Sequence, residues 1–458
     1  MKQRYALVGV GLAWFVVAAW AGLEPDARPN DLPGMQTQRI KEPVFGGHAH
    51  VYESGKEHAR TILLVHGLGD DGAWDYHEQI PWLAQSFHVL AVDLPGFARS
   101  DKANVLYSPG NYAAFLKYVA ERFVRGPFVL VGHSMGGVVA LRYAALYPND
   151  VERLVVIDTP GILHRYALTS NFISRVGFNF LPSNMDPLEQ FGKLARKLLG
   201  RVERTNFDPE FILSTRTLRD SVLGSDPTKI AGLAVAIEDM SKVLPKVRAE
   251  TLVIWGKEDT VAQPRTGKLL VEKLARAQLV VIEQAGHVPM LETPGRFRAA
   301  LEPFLEQGLT PTPTVKPDLK KRGDARCERS RNLVYEGEYD TLTLKNCQNV
   351  RILNARVHAL VVDHSSVTIE DSDIGGGDVG LHARSATVEM TGGRIEGEVA
   401  IMAFGSRLDL AGVDVAGQEA AMQAPDSSSV VFSLCHVRSP QTDRDMHGYY
   451  EVGNKNPL

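Results

Sequence analysis

Cysteine is scarce in this sequence, and the little there is lies near the end of the chain. Of 458 residues, only Cys327, Cys347 and Cys435 are cysteines, so at most one disulfide can form within the chain. That number excludes a small scaffold held together by several bridges. The absence of any thiol from the first 320 residues fits a compartment in which stray thiols would oxidise.

An excess of charge of either sign is also missing. The chain has 50 Lys and Arg residues against 54 Asp and Glu residues, a net charge of −4, so the overall charge does not favour nucleic acid as a partner. The sequence contains no C-x-x-C pair, no H-E-x-x-H and no phosphate-binding loop, and we therefore expect neither a metal nor a cofactor. A content of 44% hydrophobic and 23% charged residues is typical of a globular protein, and the length predicts two or three domains.

The amino terminus carries a long apolar run. Residues 5–23 contain no charged side chain, and Lys2 and Arg4 precede them. Such a run is long enough to cross a bilayer as a helix, and its basic flank favours a cytoplasmic amino terminus. We therefore expect a transmembrane anchor over residues 1–23, with the rest of the protein extracytoplasmic, in the periplasm or at the cell surface. The alternative is a secreted protein whose signal peptide is cleaved near residues 19–21 (Ala-Trp-Ala).

Two polar segments that contain several prolines divide the rest of the chain. They cover residues 24–45 and residues 307–325, and their composition is typical of extended linkers. We therefore predict one folded domain over residues 46–306 and a second over residues 326–458.

In the first of these domains, short apolar runs alternate with longer amphipathic stretches, as strands and helices do in a βαβ sheet. The runs are too uniformly apolar for strands that have one face in solvent. They cover residues 61–65, 89–92, 128–131, 154–157, 252–255 and 279–282. We predict an α/β fold with a doubly wound, mostly parallel sheet, and we expect its chemistry at the carboxyl ends of the strands.

The third run leads into a turn that suits a nucleophile. Residues 132–137 read Gly-His-Ser-Met-Gly-Gly, and a helical pattern follows them, so Ser134 lies in a G-x-S-x-G motif between a strand and a helix. The glycines leave room for a tight turn, and the amino terminus of the helix presents backbone N–H groups to the reacting atom. We predict that Ser134 is a catalytic nucleophile.

A nucleophilic serine needs a base, and the base needs a carboxylate to orient it. Asp259 follows the fifth apolar run and His287 follows the sixth, so both are expected at the same edge of the sheet as Ser134. We predict His287 as the base and Asp259 as the acid. Glu258 and Asp158 are the alternative acids.

An acyl-transfer intermediate also needs hydrogen-bond donors for its oxyanion. The first run ends in a glycine-rich turn, residues 66–72 (His-Gly-Leu-Gly-Asp-Asp-Gly), which can aim a backbone N–H group at the site. We assign the two donors to the backbone N–H groups of Leu68 and Met135. We expect His66 to order this turn rather than to act as a second base.

Together these motifs resemble the α/β-hydrolase fold family, in its single-domain, lid-bearing branch. Five segments match the pattern of that family: residues 66–69, 93–100, 132–137, 255–259 and 286–292. Serine at the elbow distinguishes the chain from the related haloalkane dehalogenases and epoxide hydrolases, which have aspartate there. Ala98 departs from the pattern, because the family commonly has glycine at that turn. The resemblance implies a helical cap over about residues 161–246, in which some apolar residues line the substrate pocket.

We therefore expect a serine hydrolase, similar to carboxylesterases and lipases, that cleaves a small apolar acyl ester through an acyl-enzyme. An alternative within the same fold is a carbon–carbon bond hydrolase or a perhydrolase-like enzyme, since the resemblance extends to both. An alternative from another class is a binding protein of the cell envelope that uses its carboxy-terminal domain.

The carboxy-terminal domain consists of repeats. Apolar residues recur at offsets 0, 2 and 7 in five units, which start at Val350, Val367, Val388, Leu408 and Val430. These starts are 17 to 22 residues apart, and period-two alternation inside such a repeat is typical of strands that stack rung upon rung. The region resembles the right-handed parallel β-helix, and we predict an all-β solenoid over about residues 335–440.

We expect the solenoid to serve as an oligomerisation, spacing or docking module, with a glycan or a protein as its partner. Cys347 and Cys435 would lie several rungs apart in a regular solenoid. Cys327 and Cys347 are therefore the plausible disulfide pair.

Overall fold

The structure, a computed structural model, describes residue 32 and residues 34–167, 208–310 and 319–453. The predicted transmembrane segment over residues 1–23 lies outside the described residues, as does the part of the predicted cap over residues 168–207. Among the residues described, no helix has the length and apolar character that a membrane span requires.

The first part of the chain forms an eight-stranded sheet in the order β1-β2-β4-β3-β5-β6-β7-β8. Its strands are β1 Gln36–Lys41, β2 His48–Ser54, β3 Thr61–Val65, β4 His88–Asp93, β5 Phe128–His133, β6 Val151–Ile157, β7 Glu250–Gly256 and β8 Ala277–Ile282. The six strands from β3 to β8 pair in parallel. All six predicted apolar runs are therefore strands of a mostly parallel sheet.

Helices cover the sheet and form the described part of the cap. They are α1 Ile80–Leu83, α2 Pro109–Phe123, α3 Met135–Leu146, α4 Pro209–Ser214, α5 Arg216–Leu223, α6 Pro227–Ala236, α7 Arg265–Lys273, α8 Pro289–Glu292 and α9 Pro294–Gln307. Within the described residues, short 3₁₀ helices lie at Gly72–Tyr76, Met240–Lys242 and Leu244–Lys246. Helices α4, α5 and α6 fall inside the predicted cap, so its described part is helical.

Both faces of the sheet are buried at its central strands, such as β3 and β5. In β3, Leu63 and Val65 belong to one apolar core, which includes residues of α2 and α3. Ile62 and Leu64 point to the other core, which includes residues of α9. Burial on both faces explains why these strands are continuously apolar.

The predicted linker over residues 24–45 is wrong in its second half, because residues 36–41 form strand β1. This strand pairs antiparallel with β2 at the edge of the sheet. Ile40 is its one buried side chain, so the strand lacks the apolar run by which β3 to β8 were recognised. The predicted linker over residues 307–325 also ends early, since strand β9 begins at Lys321.

The second part of the chain is an all-β region, here called the β region. Its strands are β9 Lys321–Glu328, β10 Val334–Lys345, β11 Val350–Asp363, β12 Ser366–Gly375, β13 Val379–Arg384, β14 Thr387–Phe404, β15 Arg407–Ala411, β16 Asp414–Gln423, β17 Ser428–Ser439 and β18 Thr442–Val452. Strands β9 to β17 pair in parallel, and β18 pairs antiparallel with β17.

The apolar repeat sets the register of these pairs. Val367 lies opposite Val350 on one side and opposite Val388 on the other. Leu408 continues the row beyond Val388, and Val430 follows it. All five side chains are buried, and each contributes roughly 1.5–3 kcal/mol through its removal from water. Equivalent positions of successive repeats are thus direct neighbours.

A disulfide joins Cys327 of β9 to Cys347, the pair expected from the sequence. Cys435 is a buried free thiol, and burial raises its pKa to about 12. A thiol with so high a pKa is protonated and unreactive at neutral pH.

Candidate active site

Ser134 lies in a strained turn between β5 and α3. Its φ is +51°, a conformation that L-residues rarely adopt and that marks a nucleophile elbow. The two glycines of the motif are required by close backbone contacts. A Cβ atom on Gly132 would lie 2.2 Å from the carbonyl oxygen of Gly136, and one on Gly136 would lie 2.3 Å from that of Val65. The sequence motif therefore has the steric basis expected of it.

The three residues predicted to carry the chemistry meet at the carboxyl edge of the sheet. Nε2 of His287 lies 3.0 Å from Oγ of Ser134, and Nδ1 of His287 lies 2.8 Å from Oδ2 of Asp259. All three side chains are buried. Ser134 and His287 are 153 residues apart in sequence, so the fold alone brings them together.

The acceptors around the site determine where its protons lie. Oδ1 of Asp259 accepts N–H bonds from Val261 at 2.7 Å and Ala262 at 3.0 Å, which fix the orientation of the carboxylate. The carboxylate can only accept from His287, so Nδ1 of His287 carries the proton and Nε2 is the acceptor for Ser134. This is the tautomer that a general base needs.

The predicted oxyanion donors are the backbone N–H groups of Met135 and Leu68. Met135 is the first residue of α3, so its N–H group has no acceptor within the helix. Leu68 follows Gly67, and a Cβ atom on Gly67 would lie 3.1 Å from Cβ of Ser134. The turn after β3 thus lies against the nucleophile at Gly67, and the role of Leu68 stays a prediction.

His66 orders the turn after β3, as expected. Its Nε2 accepts the N–H group of Leu94 at 2.9 Å, so Nδ1 carries the proton and donates to the carbonyl oxygen of Gly67 at 2.6 Å. With both nitrogens engaged, the ring acts as a fixed spacer between this turn and the end of β4.

The two alternative acids have different environments. Glu258 is exposed. Asp158, at the end of β6, is fully buried, and its Oδ1 accepts the N–H group of Gly256 at 2.9 Å. Its Oδ2 is buried without a hydrogen-bond partner. One atom each of Asp158, Asp259 and His287 lie within 4.8 Å of one another.

Two buried carboxyl groups this close cannot both ionise. Burial, and then the charge of Asp259, raise the pKa of Asp158 well above its usual range. Asp259 accepts three hydrogen bonds against one for Asp158. Of the two carboxyl groups, Asp259 is the one that contacts Nδ1 of His287.

Two residues that the sequence did not single out hold the loop of His287. Nε2 of His133 donates to the carbonyl oxygen of His287 at 2.7 Å. Glu292 accepts the N–H groups of Gly286 at 2.5 Å and Val288 at 3.0 Å. Both residues lie inside recognised motifs, but no single-residue pattern indicates which backbone group a side chain will reach.

Asp75 lies on the other side of His133. The carboxylate is 3.7 Å from Nδ1 of His133. Burial on its own would raise the pKa of Asp75, but His133 lowers it below the usual range. Asp75 and His133 thus connect the turn after β3 to the loop that carries His287.

The fold and this site define a class of protein, and the family comparison agrees with that class. The family model for the alpha/beta hydrolase fold matches residues 60–294. The chain belongs to the α/β-hydrolase fold family.

Relatives within this family are similar to the chain over its first part. Lipase 3 of Moraxella sp. is 27% identical over 254 residues, which cover 54% of this chain and 78% of that protein. The monoacylglycerol lipase ABHD6 of Homo sapiens is 25% identical over 291 residues, which cover 59% of this chain and 82% of that protein. A solved structure of an esterase from Thermogutta terrifontis is 26% identical, covers 60% of this chain and 100% of its own, and has a TM-score of 0.44.

Proposed function

We propose that the protein is a serine hydrolase that cleaves a carboxylic ester through an acyl-enzyme. The observation that carries this proposal is the hydrogen-bonded chain from Ser134 through His287 to Asp259, at 3.0 and 2.8 Å. The family and the relatives named as lipases support an ester-acting hydrolase.

Each residue has one task in this mechanism. Oγ of Ser134 attacks the acyl carbon while Nε2 of His287 takes its proton and then returns it to the leaving alcohol. Asp259 orients His287 and stabilises the imidazolium that forms. The backbone N–H groups of Leu68 and Met135 hold the oxyanion of the tetrahedral intermediate. Water then releases the acid by the same steps in reverse order.

Ester turnover by single variants tests this function. Ser134→Ala should reduce kcat for aryl esters by a factor on the order of 10⁴ or more and leave the melting temperature unchanged. Ser86→Ala, at an exposed serine, is the matched control and should retain full activity. Unchanged turnover by Ser134→Ala would contradict the proposal.

The substrate class follows from the cap. A panel of esters with graded acyl length should show a preference for small apolar acyl groups, because the cap helix α6 is apolar and belongs to the same core as Met135, the residue after Ser134. Turnover of a vinylogous diketone in preference to every ester would indicate the carbon–carbon bond hydrolase instead.

The β region is proposed to be a short β-solenoid. The register in which Val350, Val367, Val388, Leu408 and Val430 face one another supports it. A binding role for this region has a specific observation in its favour, a polar surface groove of about 480 Å³. The groove is lined by Ser385, Thr387, Arg407, Ser429, Tyr449 and Glu451, hydroxyl and charged groups that suit a saccharide. Titration of the full chain with soluble envelope polysaccharide, with Arg407→Ala as the variant, tests this second function.

The localisation proposed is a membrane anchor at the amino terminus with the folded parts outside the cytoplasm. The Cys327–Cys347 disulfide supports it, because such bridges persist in oxidising compartments. Fractionation of cells that express the full chain should place the protein in the membrane fraction, accessible to protease from outside. Recovery in the cytosol would contradict this location, and recovery in the medium would support the secreted alternative.

A further inference from the structure

The β region packs against the part of the hydrolase fold that carries Asp259. We propose that this docking positions the acid loop, defined as residues 257–264 between β7 and α7, so that the β region is a working part of the active site. The inference rests on the proposed function, since it gives a task to a residue of that triad.

A buried ion-pair cluster joins the two parts of the chain. Arg265, the first residue of α7, lies 2.8 Å from the carboxylate of Asp409 in β15 and 3.6 Å from that of Glu389 in β14. The side chains of Arg265 and Asp409 are only 8% and 6% exposed. Charges removed from water to this extent are held by their partners, which fixes the start of α7 against the β region.

Apolar contacts continue the same surface along α7. Ala411, Val431 and Leu434 of the β region belong to the apolar core of the hydrolase fold, together with Leu269 of α7. Gly412 lies against α7 so closely that a Cβ atom there would be 2.7 Å from Cδ1 of Leu269. The contact therefore leaves no room for a side chain at Gly412 unless Leu269 and Glu272 move.

The start of α7 follows closely on the backbone groups that orient the acid. Asp259 is oriented by the N–H groups of Val261 and Ala262, at 2.7 and 3.0 Å. The indole N–H of Trp255 fixes the carbonyl oxygen of Ala262 at 2.9 Å. Three residues after Ala262, the chain reaches Arg265. A shift of α7 would therefore move the amides that aim the carboxylate at His287.

The β region also contacts the segment that leads from β6 into the cap. The hydroxyl of Ser433 accepts the N–H group of His164 at 2.9 Å. The rings of Tyr166 and Tyr449 lie 5.0 Å apart. The β region thus contacts both α7, which follows the acid loop, and the cap entry.

A steric wedge in this contact tests the inference without any change to the hydrolase residues. Gly412→Leu introduces a side chain into the space held by Leu269 and Glu272. Gly405→Leu is the matched control, because Gly405 also has a positive φ but a Cβ atom there has no neighbour within 4 Å. Both substitutions carry the same kind of backbone strain, and only the first pushes α7 away.

For a soluble aryl ester, Gly412→Leu should lower kcat on the order of tenfold or more, because small misplacements of catalytic groups have effects of this size. Its KM should change by less than about threefold, and its rate of labelling by a fluorophosphonate should fall with kcat. Gly405→Leu should keep wild-type kcat. All rates are measured in the full chain, well below the melting temperature of each variant.

Equal kcat values for the two leucine variants would overturn the inference. If Gly412→Leu does not fold, Asp409→Asn decides the question against Asp414→Asn, whose exposed ion pair with Arg438 lies entirely within the β region. A loss of kcat in Asp409→Asn alone supports the inference, and wild-type kcat in both overturns it. A wild-type chain without any hydrolytic activity would instead refute the proposed function, and the inference with it.

Discussion

The hydrolase fold and the β region place their important residues by opposite means. In the hydrolase fold, single residues far apart in sequence meet at one point, as Ser134 and His287 do across 153 residues. In the β region, equivalent residues about one repeat apart stack in register, as Val367 does on Val350 and Val388. Each residue of this stack has an equivalent in a neighbouring repeat, whereas each residue of the site has a position that no other residue shares.

This difference predicts which substitutions should affect the chemistry and which should affect the stability of the fold. Loss of one side chain at the site removes a chemical step and leaves the cores intact. Loss of one side chain in the stack opens a cavity among equivalent neighbours and leaves the chemistry intact, unless the face that docks on α7 is affected. The following substitutions sharpen that contrast, from the largest expected effect to the smallest.

The largest effect on stability is expected from the centre of the stack. Ile369 is fully buried between Ile352 and Met390, so Ile369→Ala should lower the free energy of unfolding by about 4 kcal/mol through lost burial and the cavity left behind. Thr368→Ala, at the adjacent position whose side chain is only partly buried, should cost less than about 1 kcal/mol. Urea denaturation measures both, and equal losses would contradict an inward-facing stack.

The disulfide at the start of the β region is expected to contribute somewhat less. Cys327 and Cys347 close a loop with a sequence separation of 20 residues, so the double variant Cys327→Ser, Cys347→Ser should lose about 3 kcal/mol. Ester turnover at low temperature should be unchanged, because β9 lies at the far end of the sheet from β15 and β17. A loss of kcat without unfolding would show that this end of the β region influences the active site, and would contradict the prediction.

The smallest effect, counted for one pH unit, concerns the pH dependence of stability that comes from Asp158. Its folded-state pKa is raised by burial and by Asp259, so the folded protein keeps a proton that the unfolded chain releases above a pKa of about 4. This contribution is fully present below about pH 4 and is lost as the pH rises toward the folded-state pKa. The Asp158→Asn variant has no proton to lose at this position. As the pH increases, its free energy of unfolding relative to that of the wild type should therefore rise by up to about 1.4 kcal/mol per pH unit.

Thermal unfolding of the wild type and Asp158→Asn from pH 5 to pH 8 measures this difference. Asp340→Asn, at an exposed carboxylate, is the control. A stability difference between Asp158→Asn and the wild type that stays constant over this range would show that Asp158 is ionised beside Asp259. Ester turnover near neutral pH should be retained by Asp158→Asn, because an amide reproduces the neutral acid.

Much of the fold could be predicted because burial leaves a mark on sequence. The strands from β3 to β8 are apolar on both faces, and the spacing of the apolar residues in the β region is enough to define its register. Strand β1 left no such mark, since Ile40 alone is buried. An edge strand is held by backbone hydrogen bonds to one neighbouring strand. Residues with polar side chains make those backbone bonds as well as residues with apolar side chains do.

The site was predictable to the same degree and for a related reason. Ser134, Asp259 and His287 each follow a strand in the order that the fold requires, so their meeting could be expected. The contacts of His133, Glu292 and Asp158 depend on side-chain positions between distant loops. The docking of Arg265 on Asp409 across 144 residues depends on how two separate parts of the chain pack, which no local pattern encodes.

The central claim is that Ser134 is an activated nucleophile, and covalent trapping tests it most directly. The full chain is treated with a fluorophosphonate, digested, and mapped by mass spectrometry. One adduct on Ser134, absent from Ser134→Ala and formed more slowly in Asp259→Asn, is the predicted result. Failure to label Ser134 in the folded wild-type protein, or equal labelling of other serines, would contradict the account.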